Sequence, residues 1–212
     1  MSYTKYLLAG FQRFNKHFVK GKSAKYQSLA NNGQNPKALV IACCDSRVDP
    51  ALILDCNPGD LFVVRNVANI VPPYSRERTY ASTSAALEFG ILSLNIPHII
   101  VLGHSRCAGI KAALDKAKST DTNENSSIDQ WMSNAKTAAE ETLEQNPQLS
   151  VDEQLCICSR KSLIKSVSNL KSYPWIKEGI DNEKLEISTW YFDLVDASLE
   201  EYNEETEQFQ PL

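Results

Sequence analysis

The chain opens with aromatic and apolar positions Tyr3, Leu7, Phe11, Phe14 and Phe18 at helical spacing, which predicts an amphipathic arm over residues 3–30. Such a stripe can pack on the chain's own core or on a partner subunit. Asn31-Asn32-Gly33-Gln34-Asn35-Pro36 is a cluster of breakers that stops it. The pattern then changes period. Ala38 to Cys44 is an unbroken apolar run, and its first part, Ala38 to Cys43, predicts a strand buried on both faces. Residues 50–56 suit a short helix, Pro58-Gly59-Asp60 a turn, and Leu61 to Val64 a second buried strand. A mostly apolar helix over 80–95 leads to a third strand, His98 to Gly103. Ile110 to Lys118 reads as helical, residues 119–129 as a solvated loop, and 130–144 and 151–170 as further helices. Leu185 to Phe192 alternates as a fourth strand, and the acidic tail from Glu200 is extended or partly ordered.

Strands alternating with helices imply an α/β fold, a central mostly parallel sheet flanked by helices, here preceded by an N-terminal helical arm. The organisation expected is one domain over 1–212, with the arm at 1–35, the core at 36–195 and an acidic extension at 196–212. In open parallel sheets ligands gather at the carboxyl ends of strands. Two of the predicted strands end in polar clusters, Cys43 to Arg47 and His104 to Cys107, which a purely structural strand would not need.

Composition adds mainly exclusions. A formal net charge of −4 gives no electrostatic footprint for nucleic acid or for acidic membrane surfaces. No apolar run approaches the roughly 20 residues that cross a bilayer. The N-terminal MSYTKYLLAGFQRF lacks the apolar centre and small-residue cleavage site of a signal peptide, and six cysteines in such a chain suggest a reducing compartment. The address expected is therefore cytoplasmic, with the thiols packed, metal-bound or catalytic.

Cys43, His104 and Cys107 together offer two thiolates and an imidazole, a donor set suited to zinc. Three protein ligands leave a fourth position open, as catalytic sites do. Alternation along an extended chain turns Cys43 and Asp45 one way and Cys44 the other, so Cys43 is read as the ligand and Cys44 as a packed thiol. Asp45 can accept a hydrogen bond from a metal-bound water or close the site as a fourth ligand. A bidentate bond from Arg47 would hold it off the metal. Cys56, Cys156 and Cys158 read as packing residues; the last two point about 200° apart on a helix and are poor joint ligands.

Cys43-Cys44-Asp45-Ser46-Arg47, followed by Gly103-His104-Ser105-Arg106-Cys107, resembles the signature of the β-class carbonic anhydrases, in particular the plant-like members. Arg65-Asn66-Val67-Ala68-Asn69, Val71-Pro72-Pro73-Tyr74 and Ser84 to Phe89 are similar to that family too, so the likeness runs from about Gln34 to Ile110. It implies one Zn2+ per chain on Cys43, His104 and Cys107, with Asp45 and Arg47 as a catalytic dyad. It implies substrate contacts from Gln34, given across a subunit boundary, and from Phe62, Val67 and Phe89 around a narrow apolar pocket. The reaction implied is reversible hydration of carbon dioxide to bicarbonate and a proton by zinc-bound hydroxide, in a homodimer or higher homo-oligomer. Ala108 stands where glycine is usual, which places a methyl near the metal loop. Some bacterial members hold a regulatory bicarbonate through three residues whose counterparts here are Val40, Arg65 and Phe192; two of the three differ, so no such pocket is expected. His17 and His98, the other histidines, are poorly placed as proton shuttles. Relatives acting on carbonyl sulfide or carbon disulfide are the nearest rival reading, and a zinc module without turnover is the other.

Overall fold

The structure, a computed structural model, describes residues 2–18, 21, 23–75, 82–119 and 126–212. It groups into two compact units, one ending at Asn35 and one running from Pro36 to Leu212. The first holds α1 (Tyr3–His17) and α2 (Ser23–Asn32). Edge-on ring contacts of Tyr26 with Phe14 and Phe18 join the two helices. No residue of α1 is buried, and Tyr3, Tyr6, Leu7, Leu8 and Phe11 are all more than half exposed.

The second unit is built on one six-stranded sheet. Its strands are β1 (Ala38–Cys43), β2 (Leu61–Asn66), β3 (His98–His104), β4 (Glu186–Phe192), β5 (Leu199–Asn203) and β6 (Gln208–Pro211), in the order β2-β1-β3-β4-β5-β6. The first four pair in parallel and the last two antiparallel. The chain runs outward from β1 to β2, then crosses back so that β3 lies on β1's other side. That reversal makes the β1–β3 seam the switch point where such sheets bind ligands.

The helices are α3 (Pro50–Ile53), α4 (Ser82–Glu88) continuing through a π-helical turn to Ser93, α5 (Ala108–Lys118), α6 (Ser127–Met132), α7 (Lys136–Gln145), α8 (Val151–Leu170) and α9 (Pro174–Asp181). Continuous β-branched and leucine runs let β1 and β3 bury both faces. Leu39, Ile41, Ile99 and Val101 pack with Leu163, Val167 and Leu170 of α8, while Val40, Ala42, Ile100 and Leu102 fill the opposite face. A third cluster, from α5 to α8, caps the carboxyl ends of the strands and includes Cys43 and Cys107.

Two expectations change. The tail is a β-hairpin that completes the sheet: Leu199 to Asn203 pairs with β4, and Arg160 of α8 stacks over Tyr191 and Phe209 and binds Glu200. The sequence masks this pattern because two consecutive glutamates, Glu200 and Glu201, separate Leu199 from Tyr202, and Phe209 stands between glutamines. Within the expected 119–129 loop, residues 120–125 lie outside the described part, and α6 already begins at Ser127, capped by the Ser126 hydroxyl. Residues 80 and 81 of the expected 80–95 helix also lie outside it. Pro174 starts α9, a helix beyond those expected.

Candidate active site

Ladder register places the last residues of β1 and β3 side by side, with Ala42 opposite Leu102. Both strands then leave the sheet, and their exits converge. The Sγ atoms of Cys43 and Cys107 lie 3.9 Å apart, and these with a His104 ring nitrogen fall within 4.8 Å of one another, all three residues buried. Among the described residues no other set of three His, Cys or carboxylate donors is so close.

His104 Nδ1 lies 2.8 Å from the Ser105 carbonyl, a bond that requires the proton on Nδ1 and leaves the Nε2 lone pair for the cluster. Nε2 is buried and has no partner in the protein. A buried imidazole nitrogen without a bond is costly unless something absent from the chain binds it. The two sulfurs and this nitrogen fit zinc in donor type and number. Ser105 itself is fixed by the end of β4: its amide donates to the Phe192 carbonyl, and its hydroxyl accepts from Leu194.

The two thiols differ. A hydrogen bond shared with Cys107 lowers the Cys43 pKa from 9.0 to about 4. The amides of Asp45 and Ala68, at 3.4 Å and 3.3 Å from the sulfur, act in the same direction, against burial. Cys107 is pushed up, by that shared bond first and then by burial, although the amides of Ile110 and Gly109 favour its thiolate.

Asp45 and Arg47 form the pair anticipated from sequence. Arg47 Nε donates to Oδ1 at 2.9 Å and its terminal nitrogen to Oδ2 at 2.6 Å, while the Arg47 amide donates to Oδ1 at 3.0 Å. These bonds, led by the guanidinium, hold the Asp45 carboxyl well below the usual carboxylate range. Arg47 also donates to the Arg106 carbonyl at 3.2 Å, tying the β1 exit to the β3 exit. Arg65 braces the loop from beneath, donating to the carbonyls of Cys43 and Asp45 and to the Asp49 carboxylate. The sequence places Arg65 in a family-like motif and at one position of a regulatory pocket; its brace is visible only once β1 and β2 are paired.

Other expected residues are placed less centrally. Val67 begins the 3-10 turn Val67–Asn69 beside the cluster. Phe62 pairs with Leu39, four positions before the β1–β2 ends, so it lies about 13 Å along the strand from Cys43. It meets Phe89, at 6.1 Å between ring centres, and Phe89 is 48% exposed. Within this chain those two rings are not brought to the metal donors. Gln34 belongs to the N-terminal unit. Cys44 corrects an expectation: alternation does turn it away from Cys43, but solvent rather than core lies there. Ala108 is exposed, whereas the crowded position is Gly109, where an added Cβ would come within 2.8 Å of Val67 Cγ1. His98 begins β3, at the far end of the strand from His104, and bonds Ser188.

Residues 38–199 match the carbonic anhydrase family. The chain belongs to the β-class carbonic anhydrases. It is 42% identical to β carbonic anhydrase 5, chloroplastic, of Arabidopsis thaliana over 177 residues, covering 84% of this chain but only 57% of that protein. The β-carbonic anhydrase CcaA superposes over the whole of both chains, with a TM-score of 0.89 and 27% identity. A tetrameric β-carbonic anhydrase from Sordaria macrospora superposes with a TM-score of 0.82 and 29% identity, covering 93% of this chain and 95% of that one. The chain therefore shares both the fold and the sequence signature of this family, while spanning little more than half of the plant relative.

Proposed function

We propose that this chain catalyses the reversible hydration of carbon dioxide to bicarbonate and a proton, with one zinc ion held by Cys43, His104 and Cys107. The observation that carries the reading is the unpartnered, buried Nε2 of His104 facing two thiols beside a carboxylate already engaged by Arg47. A bound zinc ion acidifies coordinated water, and carbonic anhydrases are the standard instance of that chemistry.

The remaining steps fall to the chain's own groups. The Nδ1 bond to Ser105 fixes the imidazole in its ligating tautomer. Two amides donate to Cys43 Sγ and draw charge from it, offsetting the electron donation of a two-thiolate site. Asp45 Oδ1 accepts two bonds from Arg47 and Oδ2 accepts one, so Oδ2 keeps the freer lone pair. That oxygen accepts a hydrogen bond from the attacking water and orients it, while Arg47 keeps the carboxylate from closing onto the metal. Val67 supplies an apolar wall for a small, nonpolar substrate.

Gln34, Phe62 and Phe89 complete the pocket in this proposal only if a second chain presents them. The exposed stripe of α1 and the exposed face of Phe89 support a homodimer or larger assembly. The cytoplasmic address remains a proposal, supported by the six free thiols and checked by fractionation of the source cells. No described helix is long and apolar enough to cross a membrane.

The decisive experiment is stopped-flow carbon dioxide hydration with zinc determined on the same preparation. About one zinc per chain with rapid turnover supports the reading. Full zinc with negligible turnover overturns it and moves attention to carbonyl sulfide.

A further inference from the structure

The 3-10 turn Val67–Asn69 touches both halves of the metal site. Its Ala68 amide donates to Cys43 Sγ at 3.3 Å, and its Val67 carbonyl accepts from the Trp131 indole N–H at 2.8 Å. These two groups are opposite ends of one planar peptide, so a partner that fixes the oxygen also aims the N–H. The turn needs such a hold, because Ala68 has φ 64° and Asn69 φ 47°, a region that L residues disfavour. Rotating the 67–68 peptide would carry Ala68 out of that region. It would also turn a carbonyl oxygen, in place of an N–H, toward the sulfur. The ends of the segment are already pinned, since the Asn66 side chain accepts from the Ile70 amide and donates to its carbonyl, both at 2.9 Å. The middle is held by Trp131.

We infer that Trp131 is a positioning residue for the metal centre, locking the 67–68 peptide so that its N–H points at the Cys43 sulfur. The inference rests on the reading that Cys43, His104 and Cys107 bind zinc. The contact on the other side of the turn points the same way: a Cβ at Gly109, two residues past Cys107, would meet Val67 Cγ1 at 2.8 Å and Ala68 Cβ at 3.1 Å. Through Ala68 and Gly109 the turn therefore sets the spacing of two ligands from different strands. An N–H···S bond draws charge off a thiolate, so losing it alters both how firmly the metal is kept and the sulfur's electronic signature.

The test is Trp131→Phe, which keeps an aromatic side chain and removes the donor. Met132→Leu, a conservative change in the same helix, controls for packing. Zinc transfer to a chelator should be about fivefold faster in Trp131→Phe and unchanged in Met132→Leu, a smaller effect than the 10- to 100-fold typical of direct partners of ligands. The thiolate-to-metal charge-transfer band of the cobalt-substituted protein should shift in the first variant only. Wild-type zinc retention and an unshifted cobalt band in Trp131→Phe overturn the inference, while wild-type protein that binds no zinc overturns the metal reading itself. Gly109→Ala gives a second test that spares the indole. It should also speed zinc loss, and Val67→Ala added to it should restore retention in part. A Gly109→Ala protein with wild-type retention counts against the turn as a spacer.

Discussion

Cys43 and Cys158 are both thiols with almost no exposure, yet their surroundings make them opposite in character. Cys158 lies on α8 among alanines and Leu155, and burial raises its pKa from 9.0 to about 11. Cys43 is buried at a strand exit, and the Cys107 thiol and two amides bring it down to about 4 in spite of that burial. Burial alone makes a thiol inert; what makes a ligand is a set of donors converging on one sulfur from separate segments. The strand exit provides that set because the chain has left the ladder there, freeing the amides of Asp45 and Ala68 to point at sulfur. Inside α8 the amides are committed to helical carbonyls.

The comparison can be broken most severely at the exit. His104→Ala should lower zinc from about one per chain to below about a tenth and hydration by about 1,000-fold, measured by metal analysis and stopped flow. Asp45→Asn comes next. It should retain zinc, because Asp45 is not among the three donors, yet lose about 100-fold in hydration because the orienting carboxylate is gone. Retained turnover would show that the dyad does not orient the nucleophile.

On α8 the effects should be those of packing. Cys158→Ala should cost about 1 kcal/mol in denaturant unfolding and leave zinc content unchanged. Its pH dependence has a definite sign. The folded thiol pKa lies above the unfolded one, so its contribution is fully present below about pH 8. Between 9.0 and about 11 the unfolded chain ionises first and stability falls. Subtracting the Cys158→Ala curve from wild type should isolate that decline. The smallest effect belongs to exposed Cys44: Cys44→Ser should change stability by less than about 0.5 kcal/mol. It should also remove the fastest-alkylated thiol in the zinc-loaded protein, whereas Cys43 and Cys107 become reactive only after chelation.

Particular residues show where sequence reading succeeds. Ala38 to Cys43 and His98 to Gly103 announce themselves because strands buried on both faces must be continuously apolar, and a polar cluster at their ends then stands out. The Cys43, His104 and Cys107 cluster and the Asp45–Arg47 pair were legible for the same reason: each is a local departure from a strong pattern. The β5–β6 hairpin was not, since its burial is partial and β5 carries two adjacent glutamates, of which Glu200 finds its partner Arg160 forty residues away. Nor did residue type foretell the exposure of Cys44, because alternation says which way a side chain turns and not what lies there.

The sequence by itself determined the chemistry available, two thiols, an imidazole and a carboxylate with its guanidinium, and that these stand at strand ends. Only the tertiary structure decided that they meet. Crossing back from β2 to β3 sets Cys107 beside Cys43, the peptide that follows β2 aims its N–H at the Cys43 sulfur, and Trp131 holds the carbonyl of that same peptide. These are distances between segments some 25 to 64 positions apart in the chain, fixed by strand register and packing. No local run of residues encodes them, because each depends on where another segment comes to rest.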